Sequence, residues 1–109
     1  MHPATPTPYS TRALREENRV FRGSGGVSRN NRAQGFLPAF LDHASGRVYR
    51  ACFANGTPAP MHLLDGLPDE LVEARNAQGR VVAVSASVEA GFLQGDYFYS
   101  RQQAAQLLA

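Results

Sequence analysis

Residues 80–92, RVVAVSASVEAGF, constrain the fold of this chain more than any other segment. Val82, Val84, Ala86, Val88, Ala90 and Phe92 fall on one face of an extended backbone. Val81, Ala83, Ser85, Ser87, Glu89 and Gly91 fall on the other. Successive strand side chains point to opposite sides, so an apolar set at period two defines a strand with one face turned to a core. The pattern predicts one long strand, bent or bulged near Gly91. Its partners are LVEAR (71–75), across the turn Asn76–Gly79, and Tyr97–Tyr99, across Gln94–Asp96, which makes a three-strand meander.

Two more strands precede it. FLPAFLD (36–42) and RVYRACF (47–53) flank His43–Gly46, a hairpin signature. Pro38 lacks a ladder donor, which predicts an edge position for the first of them. ANGTPAP (54–60) reads as a loop. Leu64, Leu67 and Leu71 keep helical spacing, but Gly66 and Pro68 break it into one or two short turns, with Pro68 opening the second. Ser100 and Gln103 form a capping box before Ala104, Ala105 and Leu108, predicting a C-terminal helix. The expected fold is α+β: an antiparallel β meander of about five strands with one or two short helices packed on one face. The expected core is Phe36, Phe40, Val48, Phe53, Leu64, Leu67, Leu71, Val82, Val84, Val88, Phe92, Phe98 and Leu108. Val48 and Phe53 point to opposite faces of their strand, so one of them must pack under a loop or helix on the far side.

Charge divides the chain differently. Residues 1–35 hold six arginines against Glu16 and Glu17, whereas residues 36–109 hold five arginines against seven acids, so +4 is followed by −2. Residues 1–9, with Pro3, Pro6 and Pro8, cannot bury enough surface to offset their ordering entropy and are expected to be disordered. Ser10–Phe21 has a capping serine and a thin apolar stripe, Leu14 with Phe21, which suits a weak helix. Residues 22–35, rich in glycine and asparagine, read as irregular. The chain thus divides into a disordered or weakly helical arm, 1–19, and a single α+β domain, 20–109.

Several function classes fall away. Cys52 is the lone cysteine, so no internal disulfide forms and a reducing, cytoplasmic setting is expected. The opening MHPATPTPYSTRALREE lacks the apolar core of a secretory signal, and no stretch approaches the roughly 18 apolar residues of a membrane span. A net charge of +2 is small for a dedicated nucleic-acid binder.

The residues that could carry chemistry are few. Cys52 with His43 or His62 is the one nucleophile–base combination, but a catalyst also needs an oriented base and oxyanion donors. His62, Asp65 and Asp69 have spacings that would share a helix face, yet Gly66 and Pro68 break that helix. The loop RGSGGVSRNNR could cradle an anion on glycine amides, with Arg22, Arg29 and Arg32 supplying charge. It lacks the G-x-x-x-x-G-K-[ST] order of a phosphate loop, so a packed, turn-rich segment explains it better. Tyr97 and Tyr99 share a strand face and could stack on bases, while the acids Asp65, Asp69, Glu70 and Glu73 would repel phosphate.

The run FRGSGGVSRNNRAQGFLPAF, followed by SGRVYRACFANGTPAPMHLLDGLPDELV and GDYFYSRQQAA, resembles a group of short uncharacterised proteobacterial proteins over residues 20–105. The resemblance implies no activity, ligand or residue role, only that residues 20–35 belong to the domain.

The resulting expectation is a non-enzymatic protein-interaction module with no cofactor, no metal and no membrane contact, acting as a monomer or weak dimer. It would hold a protein partner by strand addition or a charged rim. The alternative is weak nucleic-acid or anion binding through Arg22, Arg29 and Arg32, with Tyr97 and Tyr99.

Overall fold

The chain turns a corner at Ser85–Ser87, and this corner sets the architecture. In the computed structural model, which describes residues 6–109, the elements run β1 (Tyr9–Ser10), α1 (Thr11–Val20), α2 (Ser28–Asn31), β2 (Leu37–Asp42), β3 (Arg47–Arg50), β4 (Val72–Arg75), β5 (Val81–Val84), β6 (Val88–Gln94), β7 (Tyr97–Ser100) and α3 (Arg101–Leu107). Short 3-10 turns fall at Arg32–Gln34, Leu64–Gly66 and Asp69–Leu71. The seven strands of the described residues form two antiparallel sheets, ordered β1-β5-β4 and β3-β2-β6-β7. The fold is α+β as expected, with more strands than five and two sheets in place of one meander.

The long strand read over 80–92 is two strands, one in each sheet. Ser85 N donates to Leu71 O at 2.8 Å, and Val88 N donates to Ser85 O at 3.1 Å, closing a turn. The Ser87 hydroxyl donates to Asp42 Oδ1 at 2.5 Å and lies 2.8 Å from the Ser85 hydroxyl. Serine side chains offer local partners that compete with a strand ladder, and here they hold the backbone in its turn. The break therefore lies before Gly91, where β6 keeps regular register with Ala39 and Ser100. Gly91 matters for another reason. A Cβ there would collide with the Tyr99 carbonyl and the Phe98 ring.

Pro38 does not mark an edge, because β2 lies between β3 and β6. Its carbonyl accepts from Ala51 N at 2.9 Å, so its missing N–H faces the end of β3. Ala51 O, the acceptor such an N–H would reach, instead accepts from Ala59 N at 2.9 Å. A central proline is tolerated because another segment takes over its acceptor.

One cluster joins both sheets: Phe40, Ala51, Val88 and Ala90 meet Leu71, Val81 and Val84, with Leu14, Leu64 and Leu67 closing it. A second gathers Phe36, Phe92 and Ala104. Of the expected core, Val48 and Phe53 are exposed, and Val82, Phe98 and Leu108 are half-buried. Tyr49 and Ala51 take the inner face of their segment, so alternation turns Val48 outward and no loop or helix covers it. The leucine turns form as read, although Pro68 precedes the second turn and does not open it. The capping box of Ser100 and Gln103 starts α3.

The N-terminal segment is more structured than its composition suggests. Residues 1–5 of the stretch expected to be disordered lie outside the described residues. Tyr9 and Ser10 pair with Val84 and Ala83, and the Ser10 hydroxyl accepts from Ala13 N at 3.1 Å to cap α1. Leu14 is buried in the core shared by both sheets. Within 22–35, expected to be irregular, α2 and a 3-10 turn form.

Candidate functional site

The α1 helix places Arg15 and Asn18 three positions apart, which aligns them on one flank, and Arg22 follows in the turn just beyond the helix end. Leu14 anchors the helix to the core, leaving that flank beside the 61–65 segment. After α1 the chain returns through Gly23–Val27. Ser24 N donates to Phe21 O at 3.0 Å, Gly26 N to the Ser24 hydroxyl at 3.1 Å and Val27 N to Ser24 O at 3.5 Å. These three amides serve the loop itself. The glycines allow close packing: a Cβ on Gly25 would lie 2.7 Å from Leu108 Cβ, and one on Gly26 would lie 2.9 Å from Arg101 O. Asn31, fully buried, donates to Gly25 O at 2.7 Å and holds α2 over the loop.

This arrangement opens a cleft of about 550 Å³ between α1, the loop and α2, walled by Arg22 and Arg29 with Asn18, Ser28 and Met61, and floored by His62. None of its lining residues is acidic. Of the residues singled out in the sequence, Arg22 and Arg29 come together here. Arg32 does not; it donates to Pro60 O at 3.1 Å. Tyr97 and Tyr99 line no part of this cleft. Tyr97 is 71% exposed at the β6–β7 turn, and Tyr99 packs edge-on against Phe36 with ring centroids 5.5 Å apart. The acidic run is partly neutralised, since Asp65 pairs with Arg80 at 2.8 Å and Asp69 with Arg75 at 3.0 Å.

Beneath the floor lies a polar cluster that sequence reasoning missed. His62 sits edge-on between Phe40 and Phe92, with ring centroids 5.3 and 5.2 Å away. Its Nε2 donates to Gly91 O at 2.7 Å, which leaves Nδ1 as the acceptor for Arg101 Nη2 at 3.3 Å. Burial, and then the Arg101 charge, pushes the His62 pKa down to about 3. Arg101, 3% exposed, also donates from Nη1 to Gly26 O at 3.0 Å, and its Nε lies 3.3 Å from Glu17 Oε1. Burial first and the neighbouring Glu17 second raise the pKa of Tyr9. No local pattern marks Arg101 for burial, because it follows a capping serine where side chains are ordinarily solvated.

Cys52, His43 and His62 each have other neighbours. Cys52 packs against Gly66, whose added Cβ would lie 2.6 Å from Cys52 Cβ. His43 instead faces Glu89 at 2.8 Å, and both His62 nitrogens are occupied. Among the described residues no group of three His, Cys, Asp or Glu could hold a metal ion. Among them, too, no helix is long and apolar enough to cross a membrane.

A second depression adjoins the first through Met61. It is an open groove of about 550 Å³ lined by Phe53, Met61 and Leu63, with Arg75 and Arg80 along its border. Phe53 is 42% exposed and Met61 46% exposed. The loop carrying Phe53 is braced by the Cys52–Pro58 bridge and by Phe53 N donating to Thr57 O at 2.8 Å. Comparison with protein-family models, with curated proteins and with solved structures finds no match to this chain.

Proposed function

We propose that this protein is a non-enzymatic protein-interaction module that holds a partner in the groove between Phe53 and Met61. The observation that carries this reading is the pairing of two large, exposed apolar side chains in one depression. Clustered apolar surface of this kind favours docking, because burying it against a partner removes it from water. The buried His62 and Leu64 fix the backbone on which Met61 stands. The partner brings an apolar anchor for the groove. The module works in the cytoplasm as a monomer or weak dimer, a setting in keeping with the lone thiol of Cys52.

Affinity capture from a lysate of the native host tests this, with the parent compared against Phe53→Asp and Met61→Asp. Both positions are exposed, so both variants should melt with the parent. A partner retained by the parent and lost by both variants is the expected result. Identical captures from all three proteins would overturn the assignment.

A further inference from the structure

We propose that the cleft between α1, the glycine loop and α2 binds a small organic phosphate, clamped by Arg22 and Arg29. This goes beyond the docking groove and rests on different residues. Arg19, Arg75, Arg80 and Arg101 each face a carboxylate. Arg22 and Arg29 face none, and neither they nor Asn18 make a side-chain hydrogen bond among the described residues. Two free guanidiniums and a free amide therefore border one cavity with no acid in its lining.

Two permanently charged guanidiniums call for a compact dianion. A phosphate monoester carries nearly two negative charges at neutral pH and offers three acceptor oxygens, which suits two planar guanidinium forks. Asn18 and Ser28 add neutral donors at the same wall. Val27 and Met61 supply apolar surface, so the occupant carries an organic body beside its phosphate. A cavity of about 550 Å³ has the size of small-molecule sites. The His62 imidazole on the floor is itself uncharged, with Nε2 bonded to Gly91 O and Nδ1 to the Arg101 guanidinium behind it. A nucleic-acid strand is disfavoured, since neither Tyr97 nor Tyr99 borders the cleft to stack its bases.

Calorimetric titration of the full chain at low ionic strength tests this with phenyl phosphate, inorganic phosphate and phenol. Phenyl phosphate should bind more tightly than inorganic phosphate, and phenol should not bind. Arg22→Gln and Arg29→Gln should each weaken phenyl phosphate by roughly tenfold or more, the loss that follows from removing a charge-assisted hydrogen bond. Arg47→Gln, on β3 and away from the cleft, should leave binding unchanged. Because Arg22 and Arg29 are exposed, their variants should melt with the parent. Equal affinity for phenyl phosphate and inorganic phosphate would overturn the organic class. Absence of binding by both, or undiminished binding by the doubly substituted chain, would overturn the site.

Discussion

Arg101 Nη2 lies 3.3 Å from His62 Nδ1, so a buried guanidinium donates to a buried neutral imidazole. The same guanidinium reaches Gly26 O and Glu17, and one side chain thereby fastens α3 to α1, the glycine loop and the 61–65 segment. Removing it strands Glu17 and leaves the Gly26 carbonyl without this donor. Arg101→Ala should cost about 1–3 kcal/mol, the cost of leaving a buried acceptor without its donor. Arg101→Lys should recover only part, because a single ammonium cannot match the planar fork that reaches both Gly26 O and His62 Nδ1. Urea unfolding curves of the two variants measure both effects.

His62 makes the fold sensitive to mild acid. Its pKa is held down to about 3 in the folded protein, chiefly by burial, against an ordinary value of 6.5 for an unfolded chain. The unfolded state therefore takes up the proton first. The contribution of His62 is complete above about 6.5 and is lost as pH falls toward 3, by up to ~1.4 kcal/mol per pH unit. Between about pH 6 and about pH 5, above the ordinary carboxylate range, the parent should lose stability steadily and His62→Gln should be nearly flat. Equal slopes in urea titrations of the two proteins would assign the acid sensitivity elsewhere.

The corner at Ser85–Ser87 rests on Asp42. Its carboxyl pKa is lowered first by the Ser87 hydroxyl and then by the Ser45 hydroxyl, which donates at 2.8 Å. Ser87→Ala should raise the Asp42 pKa toward its ordinary value, read from the carboxyl carbon shift during an acid titration. The sign for stability follows: a depressed carboxyl stabilises the fold above its ordinary pKa, and that gain disappears as pH falls through the folded value. The variant should show a smaller loss over that acid range than the parent.

Gly91→Ala tests close packing in the β6–β7 ladder. The added methyl meets the Tyr99 carbonyl and the Phe98 ring, and the carbonyl is part of the backbone ladder. The substitution should cost about 1–3 kcal/mol, the range for overpacked interiors. It should also shift the His62 ring resonances, because His62 donates to Gly91 O. A thermal melt with a proton spectrum checks both.

Local chemistry accounts for what the residues foretold. Gly79 closes the β4–β5 hairpin at φ 81°, a left-handed turn position that glycine adopts without strain, and Ser100 with Gln103 caps α3. The sheet switch was hidden because the apolar alternation continues across it: Val84 before the corner and Val88, Ala90 and Phe92 after it are all buried. No glycine or proline interrupts Ser85–Ser87, and the restraint comes from Asp42, 45 positions away. The position of Pro38 was equally hidden, since its tolerance depends on Ala59 reaching Ala51 O. For the site, composition pointed to Arg22 and Arg29 but not to their shared cleft, which exists because Gly25 and Gly26 let the loop pack against α3 and Phe21. Phe53 and Met61 were opaque for a simpler reason. Apolar residues beside strands and leucine-rich turns ordinarily read as core, and only the three-dimensional placement leaves them exposed.

Hydrogen exchange on the chain with its captured partner bound is the most direct measure of the proposed role. Protection should appear at residues 52–63, around Phe53 and Met61, while the β6–β7 turn near Tyr97 exchanges as in the free protein. Protection confined to that turn or to the exposed edge of β3, with 52–63 unchanged, would contradict the account.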